Sequence, residues 1–193
     1  MASSQLQAPP PPAKQVAPIP QPGDRAPPLG DDIQFPRAKP ALVVFLRHCG
    51  CPFAEKTFKI LTSLSTRHPE IDCIAVSQSS RPDTDKWVVQ VGGEWEVHVL
   101  VDPERDLFAA WGLGTSSTWY AVNPWTVWSA FRLARDEGIW SREEESGSRW
   151  QIGGAFAVDA NGFVRWAKPA ASADEVPDFK EGLKALAEWS GLP

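Results

Sequence analysis

The stretch Arg47-His48-Cys49-Gly50-Cys51-Pro52-Phe53-Ala54-Glu55 holds the side chains of this 193-residue chain best suited to chemistry. A cysteine at the first turn of a helix lies beside main-chain N–H groups and the positive end of the helix dipole, which favour the thiolate over the thiol. Cys51, directly before Pro52, has that placing, and Arg47 and His48 bring positive charge nearby. The chemistry this implies is nucleophilic attack by Cys51, with Arg47 and His48 as electrostatic support. Glu55, one turn further on, opposes the thiolate through its own charge. Cys49 has two readings: it resolves an oxidised Cys51 through a Cys-Gly-Cys disulfide that Gly50 makes less strained, or it packs beside the loop. A free cysteine is most often a small buried hydrophobe. That reading fits Cys73, inside an apolar run; for Cys51 the coincidence of strand end, Cys-Pro and helix start outweighs it.

Such a turn needs a rigid strand behind it and a helix ahead. Ala41–Leu46 is a continuous apolar run, the mark of a strand buried on both faces. Pro52 suits the first helical turn, and Phe53, Thr57, Ile60, Leu61 and Leu64 follow at helical spacing, predicting a helix to Arg67. Ile71–Val76 reads as a strand, Arg81–Val91 as a helix stopped by Gly92-Gly93, and Val97–Val101 as a third strand. Helices are expected over Pro103–Trp111 and Pro124–Asp136, each closed by a glycine. Ala155–Val158 and Phe163–Trp166, joined through Asn161-Gly162, predict a hairpin, and Val176–Trp189 a closing helix. The order βαβαβα, an inserted helix, then ββα predicts an α/β fold: a three-layer α/β/α sandwich with a helical insertion before the C-terminal hairpin.

Residues 1–40 contain eleven of the nineteen prolines and few apolar side chains, so they are expected to form a disordered or polyproline-II tail before a single domain over residues 41–193. A solvated tail is preferred there to a docking motif for a proline-reading partner. The net charge of −5, with no basic cluster, removes any electrostatic reason to bind nucleic acid or an anionic membrane surface. The longest apolar run is six residues, against the roughly 20 that a membrane-spanning helix needs. Neither nucleic acid nor membrane is therefore expected as a partner. The N-terminal stretch lacks the basic-then-apolar pattern of a secretory signal, so the expected address is cytoplasmic. Three cysteines and three histidines at unsuitable spacings do not make a structural zinc site, and no phosphate-binding or dinucleotide fingerprint is present. No bound cofactor or metal is expected.

From about Ala41 to Phe179 the chain resembles the peroxiredoxin-like AhpC/TSA proteins of the thioredoxin superfamily, especially the fungal peroxiredoxin-like 2 group. The resemblance is carried by the Arg47–Glu55 stretch after its strand, the Trp111-Gly112-Leu113-Gly114 turn, the block Asp136-Glu137-Gly138-Ile139-Trp140, and Gly147-Ser148-Arg149-Trp150-Gln151-Ile152-Gly153-Gly154-Ala155-Phe156. It implies a thioredoxin-like fold and thiol-dependent reduction of a peroxide or organic endoperoxide. Cys51 stands at the position that becomes a sulfenic acid and is restored by a second cysteine or by an external thiol, from glutathione or a thioredoxin system. Three departures accompany it. The second cysteine of a Cys-x-x-Cys motif is Ala54, the threonine three residues before the reactive cysteine is His48, and the arginine that leads into a late strand is Gly153. Two groups that activate peroxide in that family are thus missing, and Arg149 and His48 are the residues near enough in sequence to be weighed as substitute donors.

Five of the ten tryptophans fall within residues 116–150: Trp119, Trp125, Trp128, Trp140 and Trp150. The preferred reading is that these rings roof the sheet. The alternative is an apolar, arginine-rimmed pocket over Cys51, drawing on Pro52, Phe53, Trp125, Trp128, Arg149 and Gly153, for a hydrophobic metabolite. On that alternative the protein is a non-redox tailoring enzyme or binding protein. Glu143-Glu144-Glu145 reads as a solvated loop. Nothing in the sequence fixes an oligomeric state.

Overall fold

The computed structural model describes residues 14–31, 33–116, 124–142 and 146–190. Trp119 and Glu143-Glu144-Glu145 lie outside the described residues, as does the first third of the expected tail, residues 1–13. Five strands form one sheet in the order β3-β2-β1-β4-β5. β1 (Ala41–Phe45) is central and pairs in parallel with β2 (Asp72–Ser77), which pairs in parallel with β3 (Val97–Val101). On its other side β1 runs antiparallel to β4 (Gly154–Val158), and β4 antiparallel to β5 (Val164–Pro169). Every residue of β1 and β4 is buried, as the unbroken apolar runs of both strands require.

Alternation along β1 sorts the core into two halves. Leu42 and Val44 meet Phe58, Leu61 and Leu64 of α1 (Pro52–Arg67), Trp87 and Val88 of α2 (Arg81–Gln90), and Phe179 and Leu186 of α5 (Phe179–Ser190). Ala41, Val43 and Phe45 point the other way, to Phe108 of α3 (Asp106–Ala110), Trp111, and Leu29 and Ile33 from the N-terminal segment. The inserted helix, α4 (Pro124–Glu137), packs against α1 rather than on the sheet. This is the expected three-layer sandwich. Among the described residues no helix is long and apolar enough to cross a membrane.

Three elements and the domain boundary differ from the sequence reading: α5 starts at Phe179 rather than Val176, and β5 runs on to Pro169 rather than ending at Trp166. α3 starts at Asp106 rather than Pro103, because the buried Asp102 carboxylate accepts the N–H groups of Asp106, Leu107 and Phe108 and Arg105 takes a left-handed conformation, φ 62°. The larger difference is the domain boundary, drawn at residue 41 from composition. From Lys14 onward the chain is a strap laid over the second core. Leu29 and Ile33 are 1% and 5% exposed. The Gly23 N–H donates to Val164 O, the Ala26 N–H to Gly162 O, the Arg37 N–H to Ala160 O, and the Ala17 N–H to Ala109 O. Arg37 also pairs with Asp72 at 2.7 Å. The strap crosses so close to the β4–β5 turn that a Cβ on Gly162, itself at φ +86°, would stand 2.9 Å from the Phe35 Cβ. Prolines remove backbone donors but leave carbonyls and side chains free to pack, and a few buried apolar residues hold the segment in place.

Candidate active site

Strand β1 delivers the chain to the turn that carries Cys49 and Cys51, and the turn is closed by the Cys51 N–H, which donates to His48 O at 3.0 Å. Cys51 is extended, φ −80° and ψ 124°, and is the N-cap of α1; Pro52 follows at the first helical position, and Glu55 N–H donates back to Cys51 O at 3.2 Å. The proline has no N–H to strand at a helix start, which is why Cys-Pro opens a helix here without penalty.

Arg47 binds the sulfur directly. Its Nη1 donates to Cys51 Sγ at 3.2 Å and to Ala173 O at 3.2 Å, and its Nη2 donates to Arg149 O at 2.7 Å. Two main-chain carbonyls, one ahead of β4 and one beyond β5, thus fix the guanidinium against the thiol. Arg149, weighed as a substitute donor, is an exposed residue, and it is its carbonyl that holds Arg47. Gly153 explains how Arg47 fits. A Cβ there would lie 2.7 Å from Phe45 O and 3.5 Å from Arg47 Cγ, so the stem of Arg47 occupies the room that a side chain at residue 153 would need. The guanidinium comes from the end of β1, not from the strand that Gly153 precedes. Neither the carbonyl anchors nor this exchange of strands leaves a signal in a single sequence.

Cys51 is 2% exposed, enclosed with Phe53, Ala54, Leu133 and Ile139. The segment carrying Ile139 is fastened by the Arg142 N–H, which donates to Gly50 O at 3.1 Å, and by the Arg142 guanidinium on Glu55 at 3.1 Å. Glu55 is buried and takes a second cation, Lys59, at 2.7 Å. Its charge, expected to oppose a Cys51 thiolate, is therefore balanced by two partners. Arg142 and Lys59 were not among the sequence candidates.

Cys49, 4% exposed, belongs to the other core cluster. Its Sγ lies 3.6 Å from Ser77 Oγ and 4.0 Å from Thr84 Oγ1, while its N–H donates to Ser79 Oγ at 3.3 Å. The polar run Ser77-Gln78-Ser79-Ser80 after β2 was the available hint of this hydroxyl pocket. All three cysteines are free thiols. Cys73 sits in the core of β2, where burial, with help from Asp72, pushes its thiol up to about 12.

Beside Arg47 is a cavity of about 30 Å³, bounded by Phe53, Thr57, Gly153, Ala173 and Glu175. That is about the volume of one water molecule. Phe53 also lines a second space, an open groove of about 460 Å³ between α1 and α4, with Trp125, Trp128, Lys56, Arg132 and Asp174. The reading that the tryptophans roof the sheet is overturned: Trp125 and Trp128 are 68% and 49% exposed, stacked on each other with centroids 5.2 Å apart. α4 buries Thr126, Leu133 and Ala134 against the body, which turns these rings outward. Of the expected pocket, Phe53, Trp125 and Trp128 share the groove, whereas buried Pro52 and Gly153 stay at the turn that carries Cys51. Among the described residues no three His, Cys, Asp or Glu side chains converge as metal ligands.

A family model described as AhpC/TSA antioxidant enzyme matches residues 61–172, beginning within α1 beyond Cys51. No curated protein matches. Among solved structures, a thiol peroxidase from Chromobacterium violaceum is similar at 16% identity and TM-score 0.62, covering 92% of each chain. A peroxiredoxin-like protein from Aquifex aeolicus is 16% identical, with TM-score 0.60 over 91% of each chain. A cysteine-to-serine mutant of peroxiredoxin 6 from Arenicola marina is 12% identical at TM-score 0.63, over 88% of this chain and 73% of that one. At these identities the likeness is one of fold.

Proposed function

Because the chain belongs to the AhpC/TSA antioxidant enzyme family, we propose that it reduces a peroxide through the thiol of Cys51, using an external thiol as reductant. The observation that carries this reading is the Arg47 guanidinium held 3.2 Å from Cys51 Sγ at the start of α1. A charge-assisted donor there stabilises the thiolate, and it stands ready for the negative charge that develops on the leaving oxygen. The thiolate attacks one peroxide oxygen and the O–O bond breaks. Sulfur keeps the attacked oxygen as a sulfenic acid, and the other oxygen leaves as hydroxide or alkoxide and takes up a proton. An external thiol then condenses with the sulfenic acid, releasing water, and a second thiol exchanges with the mixed disulfide to restore Cys51.

The reductant is assigned outside the chain because Cys49 Sγ is engaged by hydroxyls in the other core cluster and Ala54 replaces a second motif cysteine. Glutathione or a thioredoxin system fits that role. With Cys51 enclosed by Phe53, Leu133 and Ile139, peroxide enters when these side chains shift.

Peroxide consumption with each reductant, measured for the unaltered chain and for Cys51→Ser, tests the reading. Turnover is expected to fall to background in the variant; turnover that survives would refute it. Arg47→Met should slow the reaction by on the order of 10²-fold, as loss of one oriented donor does elsewhere. One observation favours a second reading, a non-redox protein for a hydrophobic metabolite: the exposed tryptophan pair beside an open groove. Ligand quenching of tryptophan fluorescence that persists in Cys51→Ser, without peroxide turnover in the unaltered chain, would select it.

A further inference from the structure

Helix α4 is apolar on two faces, and the fold uses one of them. Thr126, Leu133 and Ala134 are buried, whereas Trp125, Val127, Trp128 and Phe131 are 68%, 59%, 49% and 62% exposed. Since an aromatic side chain presents roughly 150–250 Å² when free, the exposed patch amounts to roughly 500 Å². That is about the size of the largest apolar patch a typical monomer exposes, and such a patch is often functional. It falls short of the roughly 800 Å² that each side of a stable protein pair buries, so it is too small to hold a second copy of this chain by itself.

The make-up of the patch indicates what covers it. Indole and phenyl rings concentrate at the boundary between lipid and water, where the ring is apolar and the indole N–H stays wet. The charges around the rings balance: Arg132, Arg135 and Lys56 stand against Asp136, Glu137 and Asp174, with Arg132 and Arg135 both pairing with Asp136, at 3.4 and 2.8 Å, and Lys56 with Glu137 in the adjoining groove. The Arg132 guanidinium carbon also lies 5.6 Å from the Trp128 ring centre, a cation–π contact at the edge of the patch. A face with both signs and no excess gives an anionic surface nothing to attract, and the chain as a whole carries −5. A zwitterionic headgroup layer carries both signs as well. The missing basic cluster removes electrostatic adsorption, but ring insertion needs no net charge.

We propose that the solvent face of α4 docks on a neutral, zwitterionic lipid–water interface, with Trp125, Trp128 and Phe131 entering the headgroup layer. The inference stands apart from the redox reading, since it uses neither Cys51 nor Arg47.

Sedimentation of the full chain with phosphatidylcholine vesicles, some carrying brominated acyl chains, tests it. The chain is expected to sediment with the vesicles equally at low and high salt and to lose tryptophan fluorescence to the brominated lipid. The variant Trp125→Ser, Trp128→Ser, Phe131→Ser should lower partitioning at least tenfold, while Trp95→Ser, an equally exposed ring elsewhere, should not change it. Circular dichroism checks that the triple variant folds; should it not, Phe131→Ser alone must lower partitioning at least threefold. No sedimentation, binding confined to anionic vesicles and abolished by salt, or undiminished binding by the variant would overturn the proposal. So would sedimentation velocity showing two copies joined through α4 and separated by the same substitutions.

Discussion

Cys73 and Cys51 show how far setting decides what a thiol does. Both are buried, but Cys73 lies among strand side chains with Asp72 next to it, while Cys51 caps a helix with a guanidinium on its sulfur. The Cys73 thiol, pushed up to about 12, stays largely protonated in the folded chain over the range between about 8.5, where an unfolded cysteine ionises, and that value. Iodoacetamide and mass spectrometry at pH 8–10 should therefore leave Cys73 unlabelled in the folded protein and label it in denaturant. The sign for stability follows. Protons are held more tightly in the folded state, so the contribution is fully present below the unfolded value and is lost as pH rises from there toward 12. Urea midpoints between pH 8 and 11 should fall less steeply for Cys73→Ala than for the unaltered chain. A Cys73 that alkylated as fast as Cys51 in the folded protein would contradict this.

The turn that carries Cys51 depends on how β1, β4 and α1 meet, and Gly153 tests that meeting. Gly153→Ala puts a methyl 2.7 Å from Phe45 O and 3.5 Å from Arg47 Cγ. Overfilling of this kind costs about 1–3 kcal/mol. The variant should unfold at lower denaturant and, with the arginine pushed off the sulfur, react more slowly with peroxide; a normal midpoint and rate would show that Arg47 does not need the space. At this scale much was legible. The run Ala41–Leu46 gave the central strand to within a residue, Pro52 marked the start of α1, and Arg67 its end. The approach of Arg47 to Cys51 was legible because it is local, four residues apart around one turn. What holds them was not. Ala173 O and Arg149 O are main-chain atoms more than a hundred residues from Arg47, and a carbonyl has no residue type to read. The outward rings of α4 escaped for a related reason: helical spacing places Trp125 and Trp128 on one face but does not say which face meets α1.

At the scale of the molecule, the layer opposite α1, α2 and α5 is built largely by the N-terminal strap. Composition misled here because eleven prolines among forty residues describe the average of the segment, while Leu29 and Ile33 do the packing. Leu29, 1% exposed, is the sharpest probe of that layer. Leu29→Ala should cost about 2–5 kcal/mol by chemical denaturation, as for a buried leucine in an ordinary core. A loss below about 0.5 kcal/mol, the scale of surface changes, would return the strap to the status of a solvated tail. The strap also sets an order in time. Its main-chain partners include Ala160, Gly162 and Val164, and β1 itself lies between β2 and β4. On a ribosome adding roughly 5–20 residues per second, Leu29 and Ile33 emerge on the order of ten seconds before the turn that receives them exists. The strap is thus made well before it is seated, and during synthesis the nascent chain carries an apolar stretch whose shelter lies in sequence not yet translated.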